Sequence, residues 1–178
     1  LENSELKNIV VIGAGYIGVE LAEAFQRCEK NVTLIDIATT SLSAYYDIEF
    51  TTRMDNVLQD SGIKLEFGQK VTALEGNTKV ERVITDQGAY DADMVILAIG
   101  FKPNTKIAND RLSLFSNGAF LVDETQQTSQ PNVYAIGDCA TVFDNALGKT
   151  NYIALATNAV RSGIIAAHNC CGKPLKTL

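Results

Sequence analysis

The run VVIGAGYIGVE, residues 10–20, constrains the fold more than any other part of this 178-residue chain. Gly13, Gly15 and Gly18 stand at G-x-G-x-x-G spacing between a β-branched run and a segment of helical periodicity. Asn8 to Ile12 reads as a buried parallel strand, because the run is continuously apolar rather than alternating. Ile17, Leu21, Ala24, Phe25 and Cys28 then fall at helical spacing, which predicts one apolar helix face laid on a sheet, with Glu20, Glu23 and Arg27 mostly elsewhere. Asn31 to Ile37, NVTLIDI, is a second buried run. Strand, glycine turn, helix and strand within about 30 residues make a βαβ unit.

Each glycine has a mechanical task in such a turn. Gly13 permits the tight bend, Gly15 lets backbone approach a pyrophosphate, and Gly18 lets helix and strand pack closely. The N–H groups at the helix start then hold phosphate oxygens. A lone G-x-G-x-x-G can also be a structural glycine turn, but here a strand precedes it, a helix follows, and a second strand ends in an acid. That acid, Asp36, lies 18 residues beyond Gly18, where its carboxylate can accept from both hydroxyls of an adenosine ribose. The alternative reading of Asp36 is a solvated loop residue. As a site residue its charge repels a 2′-phosphate, and Ile37 to Ser41 supply no Arg or Lys to welcome one, so NADH is favoured over NADPH.

Beyond the unit, Asp47 to Ser61 is a predicted helix with Phe50, Met54, Val57 and Leu58 on one face and Gly62 just past its end. Ile63 to Phe67 is the next strand. From Val71 to Tyr90, breaks at Gly76-Asn77 and Asp86-Gln87-Gly88 predict a small antiparallel meander. Met94 to Ile99 is again a buried strand, ending at Gly100. Punctuation at Pro103 and Asn104 sets the expected domain boundary, giving domains 6–103 and 104–178. The second part shows an apolar stretch Ala119 to Val122, a buried strand Val133 to Ile136, and a helix from about Tyr152 to Asn169 with Ile153, Ala156, Thr157, Val160 and Ile164 on its apolar face. The expected fold class is α/β: a Rossmann-like parallel sheet with a three-stranded antiparallel meander, followed by part of another α/β domain.

Composition narrows the function classes. Fifteen Lys and Arg against 21 Asp and Glu leave a formal charge of −6 with no basic run to follow a phosphate backbone, which argues against nucleic acid as a partner. No apolar stretch reaches the roughly 20 residues that span a bilayer, and the opening LENSELKN lacks signal-peptide layout, so the expectation is a cytoplasmic protein without a membrane partner. The sequence lacks an initiator Met and reads as a piece of something longer. Cys28, Cys139, Cys170 and Cys171 have neither disulfide-framework nor CxxC spacing, and with His168 as the single histidine no metal site is expected. Cys28 fits the apolar helix face. Cys170-Cys171 reads as two reduced thiols rather than a strained vicinal disulfide, and His168 as a cation near a helix end.

With these residues in place the sequence resembles the pyridine nucleotide-disulfide oxidoreductase superfamily, in the branch of water-forming NADH oxidases, NADH peroxidases and coenzyme A-disulfide reductases. GAGYIGVE at 13–20, LIDI at 34–37, YDADMVILAIGFKPNT at 90–105, NVYAIGDCA at 132–140 and IALATNAVRSG at 153–163 carry the likeness. It implies that the first part holds NADH and that the second is the carboxyl-terminal half of an FAD domain. It implies further that Tyr16 matches a tyrosine covering the flavin until nicotinamide displaces it, and Glu20 an acid near the nicotinamide. Ile17, Asp36, Tyr45 and Gly100 match NAD-contacting positions, with Tyr45 beside the adenosine.

Asp138 matches an aspartate on the FAD ribityl chain. Ala154, Leu155 and Ala156 match the start of a helix facing the flavin pyrimidine, where a helix amino terminus stabilises reduced flavin. The family's first FAD half with its redox cysteine, and its dimerisation domain, have no counterpart here. No catalytic residue is therefore expected in this chain, and the parent is expected to be a homodimeric FAD-dependent NADH oxidase. NADH peroxidase and coenzyme A-disulfide reductase stay open, because residues around the missing cysteine decide the acceptor. The isolated chain is expected to be a non-catalytic dinucleotide-binding module.

Overall fold

The computed structural model describes residues 6–108 and 110–177, and the chain divides at residue 100 into two compact units. In the first, β1 (Asn8–Ile12) leads through the glycine turn into α1 (Tyr16–Arg27), then β2 (Asn31–Asp36), α2 (Ile48–Asp60) and β3 (Lys64–Phe67). An antiparallel excursion of β4 (Val71–Glu75), β5 (Arg82–Thr85) and β6 (Ala89–Asp91) follows, and β7 (Met94–Leu97) returns to the main sheet. The parallel sheet runs β3-β2-β1-β7, with Ile12 opposite Ile35 on one side and Leu97 on the other. The α/β reading thus holds, with the parallel sheet and the three-stranded meander both present.

Alternation along β1 explains why the run had to be apolar throughout. Ile9 and Val11 face the helices and join Val19, Ala22, Leu34, Leu42, Leu58 and Ile63. Val10 and Ile12 face the other way and pack with Ile35, Val83 and Ala92 beneath the meander. A strand covered on both faces has no polar side to present, and each fully buried Val or Ile contributes about 1.5–3 kcal/mol.

Polar bonds fasten the meander side. The Tyr90 hydroxyl lies 2.9 Å from Glu66 Oε2 and 2.8 Å from Gln69 Oε1, Gln69 donates to Glu66 at 2.6 Å, and Thr85 donates to Gln69 at 2.7 Å. Lys64 pairs with Glu66 at 2.9 Å and sits 4.9 Å over the Tyr90 ring. Burial pushes the Glu66 carboxyl up, but the bonds from Lys64, Tyr90 and Gln69 outweigh it and hold the group below the usual carboxylate range.

The second unit contains 3-10 turns at Lys106–Ala108 and Gly137–Cys139, the hairpin β8 (Val142–Asp144) with β9 (Lys149–Asn151), and α3 (Ala156–Cys170). Its core cluster is small: Phe120, Val122, Ala135 and Ala140. The predicted strand Val133 to Ile136 is not there. Only Tyr134 makes a bridge, to Gln127, and Val133 and Ile136 are exposed. The neighbouring segment bonds Val133 and Ala135 through Thr128 and Gln126 around that one bridge, too short a contact to form a ladder. The hairpin went unforeseen, although Asp144 accepting from Ala146 and Leu147 and Gly148 at φ +62° form its turn from ordinary turn residues.

Each predicted helix exists; Phe25 on α1 and Met54 and Leu58 on α2 pack on the core as expected, but the rest of each predicted apolar face departs. On α1 the buried residues are Gly18, Val19 and Ala22, whereas Ile17, Ala24 and Cys28 are exposed. Gly18 sets the rotation, because it must press against the Gly13 carbonyl. On α2, Thr51 and Leu58 are buried while Phe50 and Val57 are exposed. Asp55, one turn from Thr51, is turned inward to accept from the Ser41 backbone N–H at 3.1 Å and its hydroxyl at 2.5 Å. On α3, Ser162, Ile165 and Ala166 are buried and Ala156, Thr157, Val160 and Ile164 are exposed, because Ser162 Oγ accepts the Gly137 N–H at 3.2 Å and pulls that face onto the 3-10 turn. The helix begins at Ala156, four residues after the predicted start, with Leu155 as its amino-terminal cap and Ala154 just outside.

Candidate dinucleotide site

Sheet geometry delivers the glycine turn to the carboxyl end of β1, where open α/β sheets bind ligands. Gly13 lies at φ +105°, donates to the Ile35 carbonyl at 2.8 Å, and a Cβ there would run into the Ala98 carbonyl. Gly18 would drive a Cβ into the Gly13 carbonyl. Both glycines are therefore demanded by the protein's own packing. Gly15 is not: its φ is −75°, which any residue adopts, and a Cβ built there meets nothing within 4 Å. Neither strain nor crowding within the chain requires a glycine here, and the backbone is open to approach from outside.

That space adjoins an unsatisfied helix end. Gly15 caps α1 without any side-chain hydrogen bond, and the first turn carries no acid. The first N–H groups of a helix lack intrahelical acceptors and carry partial positive charge, a setting suited to a pyrophosphate.

Asp36 closes the site from the end of β2. Its Oδ2 accepts the Ala14 N–H at 2.5 Å and its Oδ1 the Ala38 N–H at 2.8 Å. The carboxylate is thus locked to the glycine turn rather than waving in solvent. Each oxygen keeps a second lone-pair direction, enough to accept from a vicinal diol.

The carbonyl of Ala14 is tied as well. It accepts the Leu42 N–H at 2.8 Å, and the Leu42 carbonyl in turn accepts from Tyr45 at 2.9 Å. Leu42 is buried at φ +52°, a left-handed conformation rare for a branched side chain. This loop brings Tyr45 to Tyr16, with ring centroids 4.4 Å apart, and places Tyr46 so that the Tyr16 hydroxyl donates to the Tyr46 hydroxyl at 2.7 Å. The bond to Tyr46 pushes the Tyr16 hydroxyl above its ordinary range, with smaller contributions from burial and from its two tyrosine neighbours.

Of the predicted NAD positions, Gly13, Gly15, Tyr16, Gly18, Asp36 and Tyr45 thus lie in one connected constellation. Ile17 and Glu20 are exposed on the first turns of α1, and Gly100 lies at φ +90° just beyond β7. Tyr46, Leu42 and the Ser41–Asp55 bond were missed. The doublet Tyr45-Tyr46 was the available signal, since both of its rings reach Tyr16 from one tight loop.

In the second unit, Asp138 is exposed in the 3-10 turn, and its backbone carbonyl accepts the Tyr152 hydroxyl at 2.8 Å. Burial raises the Tyr152 hydroxyl above its ordinary range, with help from Asp138 and Cys139. The α3 amino terminus, Leu155 and Ala156, has no side-chain cap. His168 lies in the last turn of α3, and Cys28, Cys139, Cys170 and Cys171 are free thiols. Among the described residues, no group of three or more His, Cys, Asp or Glu could hold a metal ion, and no helix is long and apolar enough to cross a membrane.

Residues 1–163 match the family model described as pyridine nucleotide-disulphide oxidoreductase, and the chain belongs to that family. Members of the family work with NAD(H) and FAD. The chain is 59% identical over 176 residues to an NADH oxidase of Streptococcus pyogenes serotype M6, covering 99% of this chain and 39% of that protein. Among solved structures it resembles a water-forming NADH oxidase from Lactobacillus brevis bound to NADH, with a TM-score of 0.91 and 39% identity over 97% of this chain and 38% of the other. Reduced CoADR-RHD from Bacillus anthracis follows with a TM-score of 0.89 and 33% identity, over 97% of this chain and 31% of the other. The chain therefore spans about two fifths of the curated relatives it matches.

Proposed function

We propose that this chain is the NADH-binding portion of an FAD-dependent NADH oxidase that reduces dioxygen, and that alone it binds the dinucleotide without turnover. Gly15 carries the reading. An unstrained, uncrowded glycine at an uncapped helix end is accounted for by a pyrophosphate lying against the backbone. The loop of Tyr45 and Tyr46, with Tyr16 and Asp36, extends the same surface in the direction an adenosine would take.

NADH supplies a two-electron reducing equivalent, and FAD passes it to the acceptor. This chain positions. Gly15 and the α1 amino terminus hold the pyrophosphate, Asp36 accepts from the adenosine ribose and repels a 2′-phosphate, Tyr45 flanks the adenosine, and Tyr16, with Glu20 one turn on, stands at the nicotinamide end. In the second unit, Asp138 and the segment 154–156 serve the flavin, with the uncapped α3 terminus favouring negative charge there. The 59% identity to an NADH oxidase, against 33% to CoADR-RHD, favours dioxygen as acceptor over a coenzyme A disulfide.

Titration of the purified chain with NADH and NADPH tests the dinucleotide part. Wild type is expected to bind NADH in the micromolar to millimolar range of coenzyme sites and NADPH more weakly. Gly15→Ala should weaken NADH at least about tenfold while lowering stability by at most about 1 kcal/mol, the scale of an amino-terminal cap change. Asp36→Asn keeps an acceptor oxygen but removes the charge, so the preference for NADH over NADPH should shrink. Binding that survives Gly15→Ala unchanged would sink the reading. For the oxidase part, the complete protein reconstituted with FAD should consume NADH in air, whereas this chain with added FAD should not.

A further inference from the structure

Asp36 is held from two sides. Its carboxylate accepts the Ala14 and Ala38 N–H groups, while its backbone carbonyl accepts the Gln69 N–H at 3.0 Å. The pairing of β2 with β3 ends at Asp36 opposite Phe67. Gly68, at φ +68°, then turns the chain so that its N–H reaches the Ala38 carbonyl at 2.8 Å. Residues 36 and 38 therefore lean on a two-residue turn that lies outside the glycine site.

The meander fixes that turn. Gln69 is buried, with 6% of its surface exposed, and both polar atoms of its side chain are bonded. Its Nε2 donates to Glu66 at 2.6 Å, and its Oε1 accepts from Thr85 at 2.7 Å and from the Tyr90 hydroxyl at 2.8 Å. Glu66 belongs to β3, Thr85 to β5 and Tyr90 to β6, so one amide joins three strands. The Gly68 carbonyl is tied in the same direction, accepting from Gln87 Nε2 at 2.9 Å. A buried amide whose bonds are all made specifies one orientation, and the Gln69 N–H thereby has a fixed aim at Asp36.

We propose that Gln69 is a positioning residue for coenzyme choice, which passes the rigidity of the meander to the Asp36 carboxylate through the main-chain bond between them. The proposal rests on the NADH reading above and names what holds the selecting charge in place. Acceptance from a ribose diol and repulsion of a 2′-phosphate both depend on where the carboxylate stands. A carboxylate released from the turn spends part of its time where it does neither, so the preference for NADH over NADPH shrinks. Simple destabilisation lacks this signature. It reduces the binding-competent fraction for both coenzymes alike and leaves the ratio of their affinities unchanged.

The test titrates the full 178-residue chain with NADH and with NADPH, comparing wild type, Gln69→Leu, Asp36→Asn and the double variant. Gln69→Leu should lower the NADH-to-NADPH affinity ratio about three- to tenfold, the scale of one net hydrogen bond. In the Asp36→Asn background the same substitution should leave the ratio unmoved, because the charge it positions is gone. Tyr90→Phe keeps the ring, takes one bond from Gln69, and should lower the ratio about twofold. It is the deciding variant if Gln69→Leu does not fold.

Wild type that prefers NADH, with a ratio left unmoved by Gln69→Leu or by the deciding variant in its place, overturns the positioning role and leaves the coenzyme site standing. A ratio that falls equally with and without the Asp36 charge also overturns it. Wild type that binds neither coenzyme, or both alike, overturns the reading of Asp36 itself, and the role of Gln69 with it.

Discussion

The two units differ in how much of their apolar surface they bury. The first folds around a sheet covered on both faces, with core residues on the helix side and on the meander side. The second gathers a cluster of four core residues around Phe120, while both units leave large apolar side chains exposed, Phe50 and Leu97 in the first and Val133 and Val160 in the second. The second also buries the Gln126 amide with neither its Oε1 nor its Nε2 hydrogen-bonded, a costly arrangement. The first unit thus builds a two-sided core, and Gly15 at its helix end is a glycine that neither backbone strain nor crowding requires. The second holds its shape with a sparser core cluster, so it is expected to be the less stable of the two.

Substitutions can break this contrast at graded strength. The largest effect belongs to Gly18→Ala, which drives a methyl group into the Gly13 carbonyl and should cost more than about 4 kcal/mol, leaving the first unit without a cooperative thermal transition. Next come matched core truncations. Leu34→Ala should destabilise the first unit by about 2–5 kcal/mol, and Phe120→Ala the second by about 3–5 kcal/mol. Urea unfolding followed by hydrogen exchange distinguishes the two. Phe120→Ala should unprotect residues beyond 100 with NADH affinity kept, and Leu34→Ala should abolish that affinity. If Phe120→Ala also unprotects the parallel sheet, the two units are one folding entity and the contrast fails.

The smallest effect lies in the polar fastening of the meander. Tyr90→Phe should cost about 1 kcal/mol, the net worth of one hydrogen bond. The pH dependence has a definite sign. Glu66 is held below its usual range in the folded state, so its contribution is present above the unfolded carboxylate pKa and lost as pH falls through the lower folded value. Unfolding midpoints of wild type should therefore fall in acid more steeply than those of Glu66→Gln.

The main architecture was legible because β1 and β2 are largely buried on both faces and so write themselves as nearly unbroken apolar runs; the predicted buried strand from Met94 forms as β7 but is only half-buried, with Leu97 and Ile99 exposed. The glycine spacing gave the turn, and Asp36 the strand end. Helix rotation was not legible. Periodicity finds an apolar stripe on α1 through Ile17 and Cys28, but the stripe that meets the sheet is chosen by Gly18, whose lack of a side chain makes it invisible to hydrophobic patterning. On α3 the deciding residue, Ser162, is polar and is buried because it accepts a backbone N–H from Gly137. The strand at Val133 failed for the complementary reason: composition announces β preference but not how far the pairing runs, which here stops at one bridge between Tyr134 and Gln127. At the site, Asp36 was identified as a ribose acceptor, while its bonds to Ala14 and Ala38 depend on turn geometry that no spacing rule encodes.

The unequal glycines also bear on how variants of this protein should be scored. A survey that measures only how much folded protein accumulates would record Gly15→Ala as silent and Gly18→Ala as severe. It would thereby file Gly15, the residue proposed to face the pyrophosphate, among the dispensable ones. Abundance and dinucleotide retention must be read side by side for this turn, because its two neighbouring glycines answer to different selections.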